Sequence, residues 1–363
     1  MPPRESAVLD ALRAVVDPDL HKDIVTLGFV KNLRISGGHV AFTVELTTPA
    51  CPVKDVMREQ ARAAVLGVAG VTGVDIEMTA AVRATSIADG GRQPVDGIKN
   101  IIAVGAGKGG VGKSTVAVNL ACALARLGYR TGLLDADVYG PSAPTMLGID
   151  AEPEIGPDKK LVPLEAWGIK VISIGFLVDP GQAMIWRGPM ASSAINQLLN
   201  DVAWGSEAEP LDVLVVDMPP GTGDIQLTMV QRVALAGAVL VSTPQEVALI
   251  DVRRGAAMFE KTAAPILGVV ENMAYFPDPA TGAHIPIFGR GGAQRTAEEL
   301  KAPFLGEVPI DMALREACDA GRPIVAAAPD SPSADAFMAI AAKVASAMKD
   351  DAAKAAPSIV FED

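Results

Sequence analysis

Residues 101–126, IIAVGAGKGGVGKSTVAVNLACALAR, set a short apolar run, a glycine-rich turn and an apolar helical run in direct succession. Within them, Gly107 to Ser114 satisfies G-x-x-x-x-G-K-[ST] in full. That motif requires a strand before the glycines and a helix after them, and the flanking patterns supply both. Further short apolar runs follow, TGLLDAD, IKVISIGF, LDVLVVDMP, GAVLVSTP and APILGVVENM, alternating with helical stretches. Strands this short, β-branched and continuously apolar are buried on both faces. The predicted fold class is therefore α/β, a mainly parallel sheet covered by helices on both sides.

The glycines let successive backbone N–H groups curl around phosphate oxygens. The start of the following helix adds the positive end of its dipole. Lys113 is placed to contact the β- and γ-phosphates, and Ser114 to ligate Mg²⁺. The expected activity is binding and hydrolysis of ATP with magnesium. Gly107, Lys108, Gly109, Gly110, Val111, Gly112, Lys113, Ser114 and Thr115 form the expected nucleotide-binding set. Acidic strand ends complete it: Asp135 and Asp137 close TGLLDAD, and Asp217 closes LDVLVVD. Carboxylates at the C-terminal edge of parallel strands face the ligand crevice, and they are costly at the end of a buried strand unless partnered.

Ahead of this region the pattern differs. Residues 4–16 carry apolar positions at helical spacing and stop at Asp17-Pro18. GFVKNLRI and HVAFTVEL alternate like two strands joined by Ser36-Gly37-Gly38, a hairpin signal. A helix over 53–66 and a strand at VTGVDIEM complete a small α+β unit, residues 1–83. Residues 84–99, rich in glycine, proline and charge, read as a linker. The larger domain spans 100–349, its last helix starting at Ser331-Pro332, a cap followed by proline. Residues 350–363 form an acidic tail.

Composition narrows the partners. The 363 residues carry a formal charge of −12, against the basic surface that nucleic-acid binding needs. No apolar run is long enough to span a membrane, and the N-terminus lacks the apolar core of a signal peptide. The three cysteines are far apart and form no disulfide framework. A cytoplasmic protein that engages neither nucleic acid nor membrane is expected.

The run K-G-G-V-G-K-S-T, with Lys108 inside the loop, resembles the deviant P-loop of the group that includes MinD, ParA and nitrogenase iron protein. Segments from about residue 100 to 325 narrow the resemblance to the Mrp/ApbC iron-sulfur cluster carriers: DADVYGPSAPTMLG, WRGPM, DMPPGTGDIQLT, STPQEVALIDVRRG, IFGRGGAQRTAEEL and DAGRPIV. The N-terminal unit, with DPDL and LTTPACPVKD, is similar to the small domain found in cluster-assembly proteins. The resemblance implies an ATP-bound homodimer in which Lys108 reaches the partner's nucleotide. It implies that Asp217 holds magnesium through water, that Asp135 supports the metal shell, and that Asp137 orients the attacking water. Asn272 matches the position that reads adenine. Apo iron-sulfur proteins and cluster-assembly factors are the implied partners.

One departure is plain. Family members carry C-P-x-C-G shortly after N-M-S-Y-F, and cysteines from two subunits hold a bridging [4Fe–4S] cluster. Here the run is NMAYFPDPATGAHIPIFG, with Asp278 and Thr281 at the ligand positions. Neither is a thiolate donor. Cys122, on the helix behind the P-loop, is expected to be buried, and Cys318, in a polar stretch, to be exposed. Cys51 precedes a helix, whose N-terminus can favour a thiolate. It matches the small-domain cysteine of the family and is the candidate for a cluster or redox role. His284 lies near the altered loop. Two main readings stand: an ATP-dependent cluster carrier or assembly factor, and a nucleotide-switched scaffold that has lost cluster binding. Partition or positioning, as in ParA or MinD, is a third.

Overall fold

The computed structural model describes residues 3–18, 21–51, 53–82, 92–177, 188–221 and 223–355. It divides into two units, Met1–Arg83 and Ala84–Asp363. The small unit runs α1 (Glu5–Leu12), β1 (Val16–Asp17), β2 (Lys22–Asp23), β3 (Val30–Ser36), β4 (His39–Leu46), α2 (Lys54–Leu66) and β5 (Gly73–Ala80). Strands β3, β4 and β5 form one sheet, with β3–β4 antiparallel and β4–β5 parallel. Met57, Ala61 and Val65, four residues apart, turn one stripe of α2 inward. They pack with Val8, Leu12, Phe42 and Val44 in a common core. Helix α1 ends before the expected residue 16. Asp17 precedes a proline, which disfavours helical backbone, and Val16–Asp17 pairs instead with Lys22–Asp23.

The large unit begins with β6 (Ile101–Gly105), α3 (Lys113–Arg126), β7 (Thr131–Asp135), α4 (Ala143–Leu147), β8 (Leu164–Ala166), β9 (Ile169–Ser173) and α5 (Gly188–Asn200). It continues with β10 (Val213–Asp217), α6 (Asp224–Arg232), β11 (Gly237–Ser242), α7 (Glu246–Lys261), β12 (Ile266–Asn272), β13 (Phe276–Pro277) and β14 (His284–Ile285). It closes with α8 (Gly292–Glu299), β15 (Phe304–Val308), α9 (Met312–Asp319), α10 (Ile324–Ala327) and α11 (Pro332–Ala355). Eight strands form one sheet in the order β15-β12-β11-β6-β10-β7-β9-β8. All neighbours are parallel except the β8–β9 pair. This is the α/β architecture that the buried strand pattern predicts. Two strands escaped that pattern. β8 is only three residues long, and β15 is interrupted by Gly306 where its register with β12 slips.

Every residue of β6, β7, β10 and β11 is buried, as continuous apolar runs require. Val116 to Leu124 of α3 are also buried on all sides of the helix, so the middle of α3 has no solvent face. Cys122 lies there, 2% exposed. On α11, Phe337, Ile340, Ala341 and Val344 form the expected inward stripe, and the Ser331 hydroxyl accepts from Ala334 N at 3.2 Å.

Two stretches differ from expectation. The second half of the expected linker belongs to the large unit: Val95 is in its core, and Gln93 and Ile98 bridge to Val233 and Leu211. Its first half lies outside the described residues. Helix α11 runs on to Ala355, so the expected acidic tail begins helical, and residues 356–363 lie outside the described set. Among the described residues, no helix is long and apolar enough to cross a membrane.

Candidate functional site

The central strand β6 leads into the glycine loop, which enters α3 at Gly112. Gly110 and Gly112 have φ of 82° and 80°, a left-handed backbone that glycine adopts without a Cβ penalty. Gly107 is glycine for a different reason. A Cβ there would lie 2.2 Å from the backbone carbonyl carbon of Asp251 on α7, so the loop is threaded against that helix. Gly107→Ala must therefore push the loop off α7, whereas at Gly109 an added Cβ meets nothing within 4 Å. Overpacking of this kind costs about 1–3 kcal/mol, so nucleotide affinity should fall about tenfold or more in Gly107→Ala. It should stay within about twofold in Gly109→Ala; titration calorimetry on both variants checks the contrast.

Register brings the acids together. Asp217, the last residue of β10, pairs with Asp135, the last residue of β7. Lys113, the first residue of α3, is buried, and its Nζ donates to Asp217 Oδ1. The same Nζ lies 3.3 Å from Ser114 Oγ and 3.8 Å from Asp137 Oδ2. Burial raises the Asp217 carboxyl above its ordinary value, and the Lys113 charge opposes that shift. Lys113, Ser114, Asp137 and Asp217 thus converge in one buried cluster. Half-buried Lys108 makes no ion pair among the described residues.

Asp135 is engaged by four protein donors. Its Oδ1 accepts from Asp137 N at 3.1 Å. Its Oδ2 accepts from Ser142 N, Ala143 N and Ser173 Oγ, each at 3.0 Å. Burial, with the charge of Asp217, pushes it up to about 6. With both oxygens engaged by protein donors, Asp135 holds the 136–143 loop in place beside Asp217. Asp137 is positioned by this loop and accepts in turn from Tyr139 N at 3.2 Å.

Asn272, at the end of β12, donates from Nδ2 to Val111 O at 2.8 Å. One N–H of its amide is thus engaged by the P-loop itself, a contact the sequence does not reveal. The preceding residue was also missed. Glu271, buried, accepts from Gly291 N at 3.2 Å and Ala293 N at 2.6 Å, capping α8. An acid at the end of an apolar run is the signal that marked Asp217, and it marks Glu271 as well. Four segments that carry the family resemblance fall partly outside the described residues: Asp19 and Leu20 of DPDL, Pro52 of LTTPACPVKD, Trp186 and Arg187 of WRGPM, and Thr222 of DMPPGTGDIQLT.

Comparisons with known proteins bear on both units. The family described as NUBPL iron-transfer P-loop NTPase matches residues 97–345, and the iron-sulfur cluster assembly protein family matches residues 5–77. The iron-sulfur cluster carrier protein of Deinococcus radiodurans is 51% identical over 341 residues, covering 93% of this chain and 94% of that protein. The chain belongs to the iron-sulfur cluster carrier family. The carrier of Synechocystis is 49% identical, with 93% and 96% covered. A nucleotide-binding protein of Archaeoglobus fulgidus, solved in complex with ADP, is 42% identical with a TM-score of 0.55, covering 62% of this chain and 88% of that one. The cell-division ATPase MinD of Pyrococcus furiosus, 23% identical with a TM-score of 0.50 over 68% of this chain and 98% of that one, shares the fold.

Within this carrier-family chain, Asp278 and Thr281 sit in the loop between β13 and β14. Asp278 Oδ1 accepts from Ala280 N at 2.8 Å and Thr281 N at 3.2 Å, and Thr281 Oγ1 accepts from Ala283 N at 3.3 Å. These side chains close their own turn, and neither offers sulfur. His284 stacks on Tyr275, with ring centroids 3.6 Å apart and planes 7° apart. Cys318 is buried, correcting the expectation of exposure: α9 turns it toward α3, where Asn119 Nδ2 lies 3.9 Å from its Sγ. Burial pushes Cys122 up to about 12 and raises Cys318, so both thiols are held protonated. Cys51, just before α2, is partly exposed against the small unit's core.

Proposed function

We propose that the chain binds and hydrolyses ATP with magnesium and uses the nucleotide cycle to load iron-sulfur clusters or pass them to apo-proteins. The observation that carries this reading is the buried Lys113–Asp217 pair, with Asp137 and Ser114 beside it, at the mouth of a glycine loop. Lys113 neutralises Asp217 in the free chain and turns to the phosphates when nucleotide binds. Ser114 and Asp217 are hard oxygen donors of the kind that hold magnesium, which supplies charge neutralisation on the phosphates. Asp137, aimed by the Asp135-held loop, orients the attacking water.

A homodimer across this face fits the surface around the loop. Val247 and Ile250, on the helix that packs against Gly107, are exposed, as are Ile287 and Phe288. Lys108, which makes no ion pair among the described residues, then serves the partner's nucleotide, where developing phosphate charge needs a cation.

The cluster is the cargo, and the closed turn at Asp278 and Thr281 does not fit the bridging site. Cys51 is therefore assigned as the cluster-handling thiol. The test is anaerobic reconstitution, with iron and sulfide content measured, followed by transfer to an apo-ferredoxin. The parent should bind and transfer cluster, and Cys51→Ser should lose at least about tenfold in transfer rate, the loss expected of a removed ligand. Equal transfer by both proteins would remove Cys51 from the assignment. No cluster in either would favour the second reading, a nucleotide-switched scaffold, which the self-satisfied turn motivates.

A further inference from the structure

The end of β12 joins three places at once. Asn272 Nδ2 bonds the carbonyl of Val111 in the P-loop, and a Cβ at Gly112 would lie 2.1 Å from that nitrogen and 3.7 Å from Met273 Cε. One residue earlier, Glu271 holds the N–H groups of Gly291 and Ala293, where the chain returns from the β13–β14 hairpin. Three residues later, Tyr275 carries the stacked ring of His284 on β14, and its carbonyl accepts from Ile310 N at 2.7 Å. Between them Met273 has φ of 55°, a left-handed backbone unfavourable for a residue with a side chain. Ala274 N, donating to Val308 O at 3.0 Å, pins the residue after it. A strained residue tied at both ends moves as part of its neighbours and absorbs little displacement itself.

We infer that Asn272 is a positioning residue of the P-loop, and that residues 271–275 transmit the state of that loop to the β13–β14 hairpin. The β13–β14 hairpin, which carries Asp278 and Thr281, then responds to nucleotide through these contacts. When phosphate occupies the glycine loop, any shift of Val111 pulls on Asn272. Met273 carries the shift to Tyr275, and the Tyr275–His284 stack moves with it. The inference rests on the nucleotide reading of the loop, and its test separates the two.

The chain has three histidines, so ring signals of His284 are assignable by one His284→Gln control. Nucleotide affinity is measured by calorimetry with Mg-ADP, and the His284 carbon-proton resonances are recorded with and without saturating Mg-ADP. In the parent, Mg-ADP should bind and the His284 signals should shift, because ring-current shifts respond steeply to stacking distance. In Asn272→Ala, binding should persist with up to about tenfold weaker affinity, the worth of one buried hydrogen bond. The His284 shift at saturation should fall to less than a third of the parent value. If Asn272→Ala fails to fold, Asn272→Leu fills the same volume without the donor and should give the same loss. Binding in the parent with an unmoved His284 overturns the relay alone, as does a full shift in either variant. Absence of Mg-ADP binding in the parent overturns the nucleotide reading, and the relay with it.

Discussion

Lys113→Ala should abolish nucleotide turnover, with a loss of at least about a hundredfold, as when a preorganised charge at a phosphoryl centre is removed. It should also lower the melting temperature, which a purely catalytic residue would not do. Lys113 is 7% exposed and faces Asp217 and Asp137, which are 2% and 8% exposed. Removing one partner of a buried pair leaves charge uncompensated, at a cost of up to about 3–5 kcal/mol. Asp217 has an escape, because burial already raises its pKa and proton uptake neutralises it. An acid whose folded-state pKa lies above its unfolded value binds protons more tightly when folded. Stability then falls as pH rises through the folded pKa. The deficit of Lys113→Ala against the parent should accordingly be larger at pH 8 than at pH 5, measured by thermal melts at both. A deficit that does not change with pH would mean that Asp217 is not the group left uncompensated. Turnover at the parent rate would remove Lys113 from the phosphate site.

Asp137→Ala should leave nucleotide affinity within about threefold of the parent and slow hydrolysis by about a hundredfold or more, the usual contribution of a positioned acid-base group. The separation of binding from turnover comes from geometry. Asp137 is 3.8 Å from Lys113, a longer approach than the direct bond between Lys113 and Asp217. The loop that carries Asp137 is held by Asp135, which accepts from the Asp137, Ser142 and Ala143 amides and the Ser173 hydroxyl. Truncating Asp137 leaves those bonds intact. Single-turnover hydrolysis and equilibrium binding, measured on one preparation, check the split. A parent-like rate constant would transfer the water-orienting role to another group.

The same contrast explains what the chain's letters could disclose. The strand–loop–helix passage through Gly107 to Thr115 was legible because each part rests on local rules: β-branched runs, glycines at left-handed positions, and a helix whose middle has no solvent face. Asp217 is legible as an acid where a buried strand ends, and Glu271 carries the same signal one residue before the end of β12. Asp135 carried the same signal, yet the number of its donors was hidden, because Ser173 and the α4 amides reach it only after β9 and α4 have packed. The burial of Cys318 is hidden in the sequence because EACDAGRP is polar as a string, while α9 buries Ala317 and Cys318 and brings Cys318 against Asn119 of α3.

The α/β sheet, the phosphate loop, the acids at the strand ends and the absence of sulfur at Asp278 and Thr281 were all written in the chain's local order of residues. All of these follow from residue type and from spacings of a few positions. The partners of these groups came from three-dimensional packing. Lys113 finds Asp217 across 104 residues, and Asn272 finds Val111 across 161. Strand order and helix packing create such contacts, and no local periodicity encodes which distant side chain will arrive.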